Sequence, residues 1–210
     1  MPSHSSTDRA RLSSQLIRAF IGQASGDARL GHRPSSGARA AAWRGYGRQP
    51  WLPRRGAVYN HEPDGYACPF CLLVAGGDDG WVNTQRDVVR RSGLATALVS
   101  PRWWPGNHGH VLVVPNGHVE NLYDLPAVQG HAVHDLVKEV AVAIRSTYGC
   151  DGTSVRQHNE PAGNQDAWHH HVHVFPRYAG DNLYGSRPYP EFVSEAERLP
   201  YAERLRAYFS

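Results

Sequence analysis

The sequence predicts an α+β fold in which an antiparallel sheet carries one long helix, and three observations lead there. From Pro126 to Tyr148 the apolar residues Val133, Leu136, Val137, Val140 and Ile144 recur at spacings of three and four, the period of an amphipathic helix. Short β-forming runs surround it: TALVS at 96–100, HVLVVP at 110–115, TSVRQ at 153–157 and the histidine-rich WHHHVHVFPR at 168–177. The last two are separated by the loop NEPAGNQD at 159–166, which reads as a hairpin connection. Strands grouped around one helix, without regular βα alternation, favour an antiparallel sheet.

Taken in order, the chain opens with an arm. Residues 1–56 hold ten arginines and two aspartates with no lysine or glutamate, a charge of +8; the whole chain is +3, which leaves −5 for residues 57–210. Rich in Ser, Gly, Ala and Arg, the arm has too little apolar periodicity to bury a core, and disorder is the expectation for it. Its acid-poor character also suits a transit peptide or an arm that binds polyanions, nucleic acid included. Residues 57–210 are expected to form the folded domain with a C-terminal extension. DGYACPFCLLVAGG at 64–77 reads as a turn closed by glycines, and PRWWPGNHG at 101–109 as a loop. Pro115 and Gly117 stop the second strand, and Gly149 ends the helix. At the C-terminus, Ser194 and Glu197 have capping-box spacing, with Pro200 expected to break or bend the helix they start. The sequence shows no internal repeat, and no apolar run approaches the roughly 20 residues of a membrane span. Three cysteines, Cys68, Cys71 and Cys150, are too few for a disulfide framework, and a soluble, cytoplasmic protein is expected.

The chemistry concentrates at 169–173, where only Val172 is not a histidine. On a strand, side chains alternate, so His169, His171 and His173 would share one face and Trp168, His170, Val172 and Val174 the other. The plain reading is a metal patch or a chance histidine run of the kind seen in tags, but a tag lacks interleaved β-formers and usually sits at a terminus, so the three-histidine face is read as functional. Cys68 and Cys71 form half of a zinc site, because two intervening residues let both thiolates reach one tetrahedral ion. A redox dithiol would call for a βαβ context that the pattern does not supply. Cys150 reads as an ordinary buried thiol.

The run His169-x-His171-x-His173, preceded by Gln165 and followed by Pro176 and Arg177, resembles the histidine triad family of nucleotide hydrolases and transferases. Gly109-His110-Val-Leu-Val-Val-Pro115, His118 three residues on, the long helix and an Asn-containing loop agree with that family in order and spacing, so the likeness covers roughly residues 66–185. The resemblance implies that His171 is the nucleophile, forming a nucleotidyl-histidine that water hydrolyses, and that His173 contacts phosphate or leaving group. It also implies that His110 supports the site, that Asn159 and Gln165 approach ribose or phosphate, and that Cys68, Cys71, His118 and His169 hold a structural zinc. A purine nucleotide substrate and a homodimer are further implications. Transferases and phosphorylases of the superfamily typically carry Gln at the third triad place; His173 here favours hydrolysis, and no cysteine follows Cys150 to make the zinc finger of the DNA-adenylate repair branch. Two departures stand out: the loop 159–165 reads as one residue short, and Asp166 occupies a place usually held by Ser or Thr. Trp103 and Trp104 could stack on a base, with core or dimer packing the stronger expectation. Two rival readings remain open: a metallohydrolase whose triad binds a catalytic ion, and a non-catalytic nucleotide-binding scaffold.

Overall fold

A computed structural model describes residues 59–78 and 82–210. The Arg-rich arm and the domain boundary placed at residue 57 lie outside the described residues. Five strands, β1 (Val88–Arg91), β2 (Ala95–Val99), β3 (Val111–Pro115), β4 (Gly152–Gln157) and β5 (Val172–Arg177), form one antiparallel sheet in the order β1-β2-β3-β5-β4. Helix α1 spans Pro69–Val74, α2 spans Ala127–Thr147 and α3 spans Glu195–Phe209. No helix among the described residues is long and apolar enough to cross a membrane.

The predicted helix and the four predicted strands are all present. Helix α2 buries Val133, Leu136, Val137, Val140, Ala143 and Ile144. These pack with Ala97, Val99, Val111, Val113, Val172 and Val174 from one sheet face. Each large aliphatic side chain so buried contributes about 1.5–3 kcal/mol. After Tyr148, Gly149 takes φ +67, a left-handed stop that costs glycine nothing. The opposite sheet face presents Leu98, Leu112 and Val114, which α1 covers with Phe70 and Leu73. Beyond that small cluster this face is the one that carries the histidines.

Three local expectations are corrected. The stretch at 64–77 is not only a turn: Cys68 caps α1, accepting the Cys71 N–H at 3.4 Å, and Pro69 stands where a helix has no use for an N–H. The histidine run is not one strand either. The chain bends through 167–169 and β5 begins only at Val172, so His173 alone of the three lies on a strand. Finally, Pro200 does not break α3, which runs through it. Pro200 is exposed, and the helix is anchored elsewhere by the reciprocal Ser194–Glu197 capping box and by Arg198.

Arg198 is buried and forks onto Asp87, Nε to Oδ1 and a terminal nitrogen to Oδ2, both at 2.8 Å, with its other terminal nitrogen on the Val193 carbonyl. Asp87 also accepts the Thr84 N–H at 2.8 Å. This pair ties α3 to the start of β1 and so closes that sheet edge. Replacing Arg198 by Ala would leave a buried carboxylate unpaired, and chemical denaturation should show a loss of about 3–5 kcal/mol. An unchanged midpoint would mean that α3 is held by its apolar contacts alone.

Candidate active site and metal cluster

Four of the predicted ligands converge. Cys68 Sγ lies 3.3 Å from His169 Nδ1, and Cys71 Sγ lies 3.2 Å from His118 Nδ1 and 3.6 Å from His169 Nδ1. All four donor atoms fall within 4.8 Å of one another, and no other such group of three or more His, Cys, Asp or Glu occurs among the described residues. The first turn of α1 places both sulfurs on one side, the loop after β3 supplies His118, and the bend before β5 turns His169 toward them.

Both imidazoles are oriented from behind. His169 Nε2 faces the Pro115 carbonyl at 3.0 Å, and His118 Nε2 faces Glu62 Oε2 at 2.6 Å. Each ring therefore carries its proton on Nε2 and aims the Nδ1 lone pair at the sulfurs, the usual arrangement behind a metal-bound histidine. Burial pushes the Cys68 thiol up to about 12 against the opposing hydrogen bond from the Cys71 N–H, with the Cys71 thiol adding to the rise. Two cysteine sulfurs and two imidazole nitrogens within 4.8 Å of one another are the donor set of a Cys2His2 zinc site.

The remaining histidines do something else. His171 is buried, and its Nδ1–H donates to the His169 carbonyl at 2.8 Å, which leaves the Nε2 lone pair as its reactive atom. His173 stands 5.0 Å away by ring centroids, with its Nδ1 3.3 Å from His110 Nε2. Beneath them the Phe175 ring stacks on His110 at 4.4 Å. His158, which nothing in the sequence singled out, bonds the Gly163 carbonyl at 2.6 Å and meets the His173 ring at 5.7 Å. Gly109, at φ +75, precedes His110; a side chain there would run into the Tyr201 ring.

Burial sets the charge of this group. It lowers His110 to about 3, with Arg156 adding to the effect, and His170 to about 4. It holds His171 below the usual imidazole range against the opposing His169 carbonyl, and His173 well below it. The set is neutral near pH 7, as a nitrogen nucleophile requires. The unfolded chain titrates its histidines near 6.5 and so takes up protons that the fold refuses. Stability from this source is complete above about pH 6.5 and is lost as the pH falls toward the depressed values. Denaturation midpoints should therefore already decline between about pH 6.5 and 5, above the range where carboxylates titrate. A flat profile there would contradict neutral burial.

The loop residues are placed differently. Asn159 Oδ1 accepts the Leu122 N–H at 2.8 Å and its Nδ2 bonds Gln157 at 3.0 Å. Gln165 Nε2 donates to the Glu120 carbonyl at 2.6 Å, and its Oε1 accepts the N–H of Glu160 at 2.8 Å. Both side chains thus hold the loop, including Glu160 at φ +60, where L-residues are strained. Glu120, buried and also unforeseen, clamps the N–H groups of His61 and Glu62 at 2.6 and 3.0 Å and so fixes the segment that carries Glu62 to His118. Trp103 is core, but Trp104 is half-buried and borders His110 and His173 at ring distances of 5.5 and 6.4 Å.

Comparison with known proteins agrees with this geometry. The HIT domain model matches residues 83–180. The chain is 31% identical over 119 residues to Protein hit of Bacillus subtilis, covering 57% of this chain and 77% of that protein. It is 30% identical over 125 residues to a Mycobacterium tuberculosis protein named AP-4-A phosphorylase, covering 57% of this chain and 63% of that one. Among solved structures, a zinc-bound histidine triad family protein from Mycobacterium smegmatis superimposes with a TM-score of 0.55 at 26% identity, over 67% of this chain and 91% of that one.

Proposed function

The chain belongs to the HIT domain family, and from that premise we propose that it hydrolyses a nucleoside phosphoramidate or a dinucleoside polyphosphate at the α-phosphorus through His171. The observation that carries the reading is the His171 Nδ1 bond to the His169 carbonyl, which fixes the tautomer and leaves Nε2 as the nucleophile. Nε2 forms a bond to phosphorus while the bond to the leaving group breaks, the leaving group keeping the electron pair. Water then attacks the same phosphorus, the N–P bond breaks, and neutral His171 returns with release of the nucleoside monophosphate. His173 stands beside the reacting centre to contact phosphate and leaving group, with His110 fixing its ring. Asn159 and Gln165 act by shaping the nucleotide loop, whose backbone they hold.

In this reading Cys68, Cys71, His118 and His169 hold zinc. The ion supplies cross-linking of α1 to the loop after β3 and to the bend before β5. The metallohydrolase alternative loses support because His171 and His173 lie outside the cysteine cluster. A cytoplasmic homodimer of a 23.3 kDa chain completes the proposal, and sedimentation at the monomer mass would remove that part.

The relative named a phosphorylase gives one rival a specific footing: the same nucleotidyl-histidine could be intercepted by inorganic phosphate. Product analysis separates the two. With diadenosine tetraphosphate and excess phosphate, hydrolysis at the α-phosphorus gives AMP and ATP, whereas phosphorolysis gives ADP and ATP. AMP is expected, and ADP as the principal partner of ATP would make the protein a phosphorylase.

A further inference from the structure

We propose that Arg156 is a specificity-determining residue that receives an oxyanionic leaving group, such as a polyphosphate, beyond the reacting phosphorus. The inference rests on the nucleotidyl-transfer reading above and adds the class of leaving group to it.

Arg156 lies on β4 directly opposite His173 on β5, so both side chains share the open sheet face. The face thus runs from the nucleophile through His173 to a guanidinium. That guanidinium stands over three aromatic rings, 4.8 Å from the Phe175 centroid, 5.0 Å from Tyr184 and 5.6 Å from Trp104. Among the described residues its guanidinium makes one hydrogen bond, from a terminal nitrogen to the Leu183 carbonyl at 3.3 Å. Its Nε is buried without a partner, and no carboxylate lies within 4.0 Å of it among the described residues.

The neighbouring Arg177 shows what a structural arginine looks like in this fold. It pairs bidentately with Asp181 at 2.7 and 2.8 Å and adds Ser154 at 2.7 Å. Arg156 has been partly desolvated with no such compensation, and aromatic faces offset only part of that cost. An oxyanion supplies the missing acceptors in the geometry a guanidinium favours. The surrounding His110 and His173 are neutral and Arg177 is matched by Asp181, so Arg156 is the positive charge left unpaired in this part of the face.

Leaving-group chemistry explains why the charge belongs there. When a P–O bond to a polyphosphate breaks, the departing oxygen takes the electron pair and gains negative charge, which a guanidinium stabilises. An amine leaving group takes up a proton and departs neutral, with no call on Arg156.

The test compares Arg156→Met and Arg156→Lys with the wild type on two substrates sharing one nucleoside, diadenosine tetraphosphate and adenosine 5′-phosphoramidate. For Arg156→Met, kcat/KM on the polyphosphate should fall about 10- to 100-fold, the span of one charge-assisted contact, with a smaller loss for Arg156→Lys. Both variants should hold the phosphoramidate rate within about threefold, a change too small for a lost charged contact. Equal losses on both substrates, or no loss on either, would overturn the proposal. Calorimetric titration with inorganic tripolyphosphate gives a readout free of turnover, and Arg156→Met should weaken it by a similar factor. If the wild type hydrolyses neither substrate, the nucleotidyl-transfer reading fails. The titration then decides for Arg156: weaker binding in the variant keeps the anion subsite, and equal binding removes it. Should the Met variant fail to fold, Arg156→Lys carries the test through a loss confined to the polyphosphate.

Discussion

His171→Ala is expected to abolish turnover of adenosine 5′-phosphoramidate, with a fall in kcat of at least about 10⁴-fold, since loss of a covalent nucleophile has cost on the order of 10⁶-fold in a well-studied hydrolase. Metal content and nucleotide affinity should survive, because His171 faces neither the cysteines nor the loop bonds made by Asn159 and Gln165. His173→Ala should be the milder lesion, about 10²- to 10⁴-fold, as expected of a group that assists without forming a bond to phosphorus. Rapid quench of the wild type with labelled substrate should trap an acid-labile, base-stable adduct on residue 171. Ordinary turnover in the alanine variant would reduce the triad to a structural cluster and give weight to the scaffold reading. Loss of metal in the same variant would instead restore the metallohydrolase.

Much of this arrangement was legible in the sequence because the elements concerned carry a local pattern. Helix α2 carries its apolar residues at helical spacing, and β2, β3 and β5 are short runs rich in apolar residues and bounded by turn residues, while β4 is marked only by its β-branched Thr153 and Val155. Strand β1 escaped notice because VVRR is two apolar residues followed by two charged ones, which alternates with nothing. Helix α1 is six residues long and owes its form to the Cys68 cap and the burial of Phe70 and Leu73, none of which has a period. Pro200 argues against α3 on propensity alone, whereas a buried ion pair between residues 111 apart in sequence holds that helix in place.

The site divides in the same way. That His169, His171 and His173 belong together follows from their spacing, but that His169 alone of them joins the cysteine cluster comes from the bend at 167–169, which strand alternation hides. Glu62, Glu120 and His158 have no local signature, since each acts on a partner or a backbone segment brought near by the fold. Arg156 is just as silent: between Val155 and Gln157 it is one charge on an edge strand, and only pairing with β5 sets it against His173.

The second large effect is expected from the metal cluster, where Cys71→Ser should remove zinc measured by atomic emission, about one ion per chain in the wild type, and lower the melting temperature. With an ion bound, Cys68, Cys71, His118 and His169 would tie α1, the loop after β3 and the bend before β5 at one point, and structural zinc sites in isolated peptides contribute on the order of 10 kcal/mol at neutral pH. The loss here should be smaller, because the core between α2 and the sheet is built without the cluster. Hydrogen exchange should accordingly open α1 and residues 59–68 first, while the amides of β3 and β5 stay protected. Activity should fall too, although no ligand touches the reacting phosphorus. The carbonyl of His169 is what holds the proton on His171 Nδ1, so a metal that fixed His169 would also fix the His171 tautomer on which the proposed attack depends. His118→Ala, which removes another of the four clustered donors, should reproduce both the metal loss and the fall in kcat. Full zinc content in Cys71→Ser would show that the ion sits elsewhere, and full activity in a zinc-free protein would show that the bend keeps its shape without it.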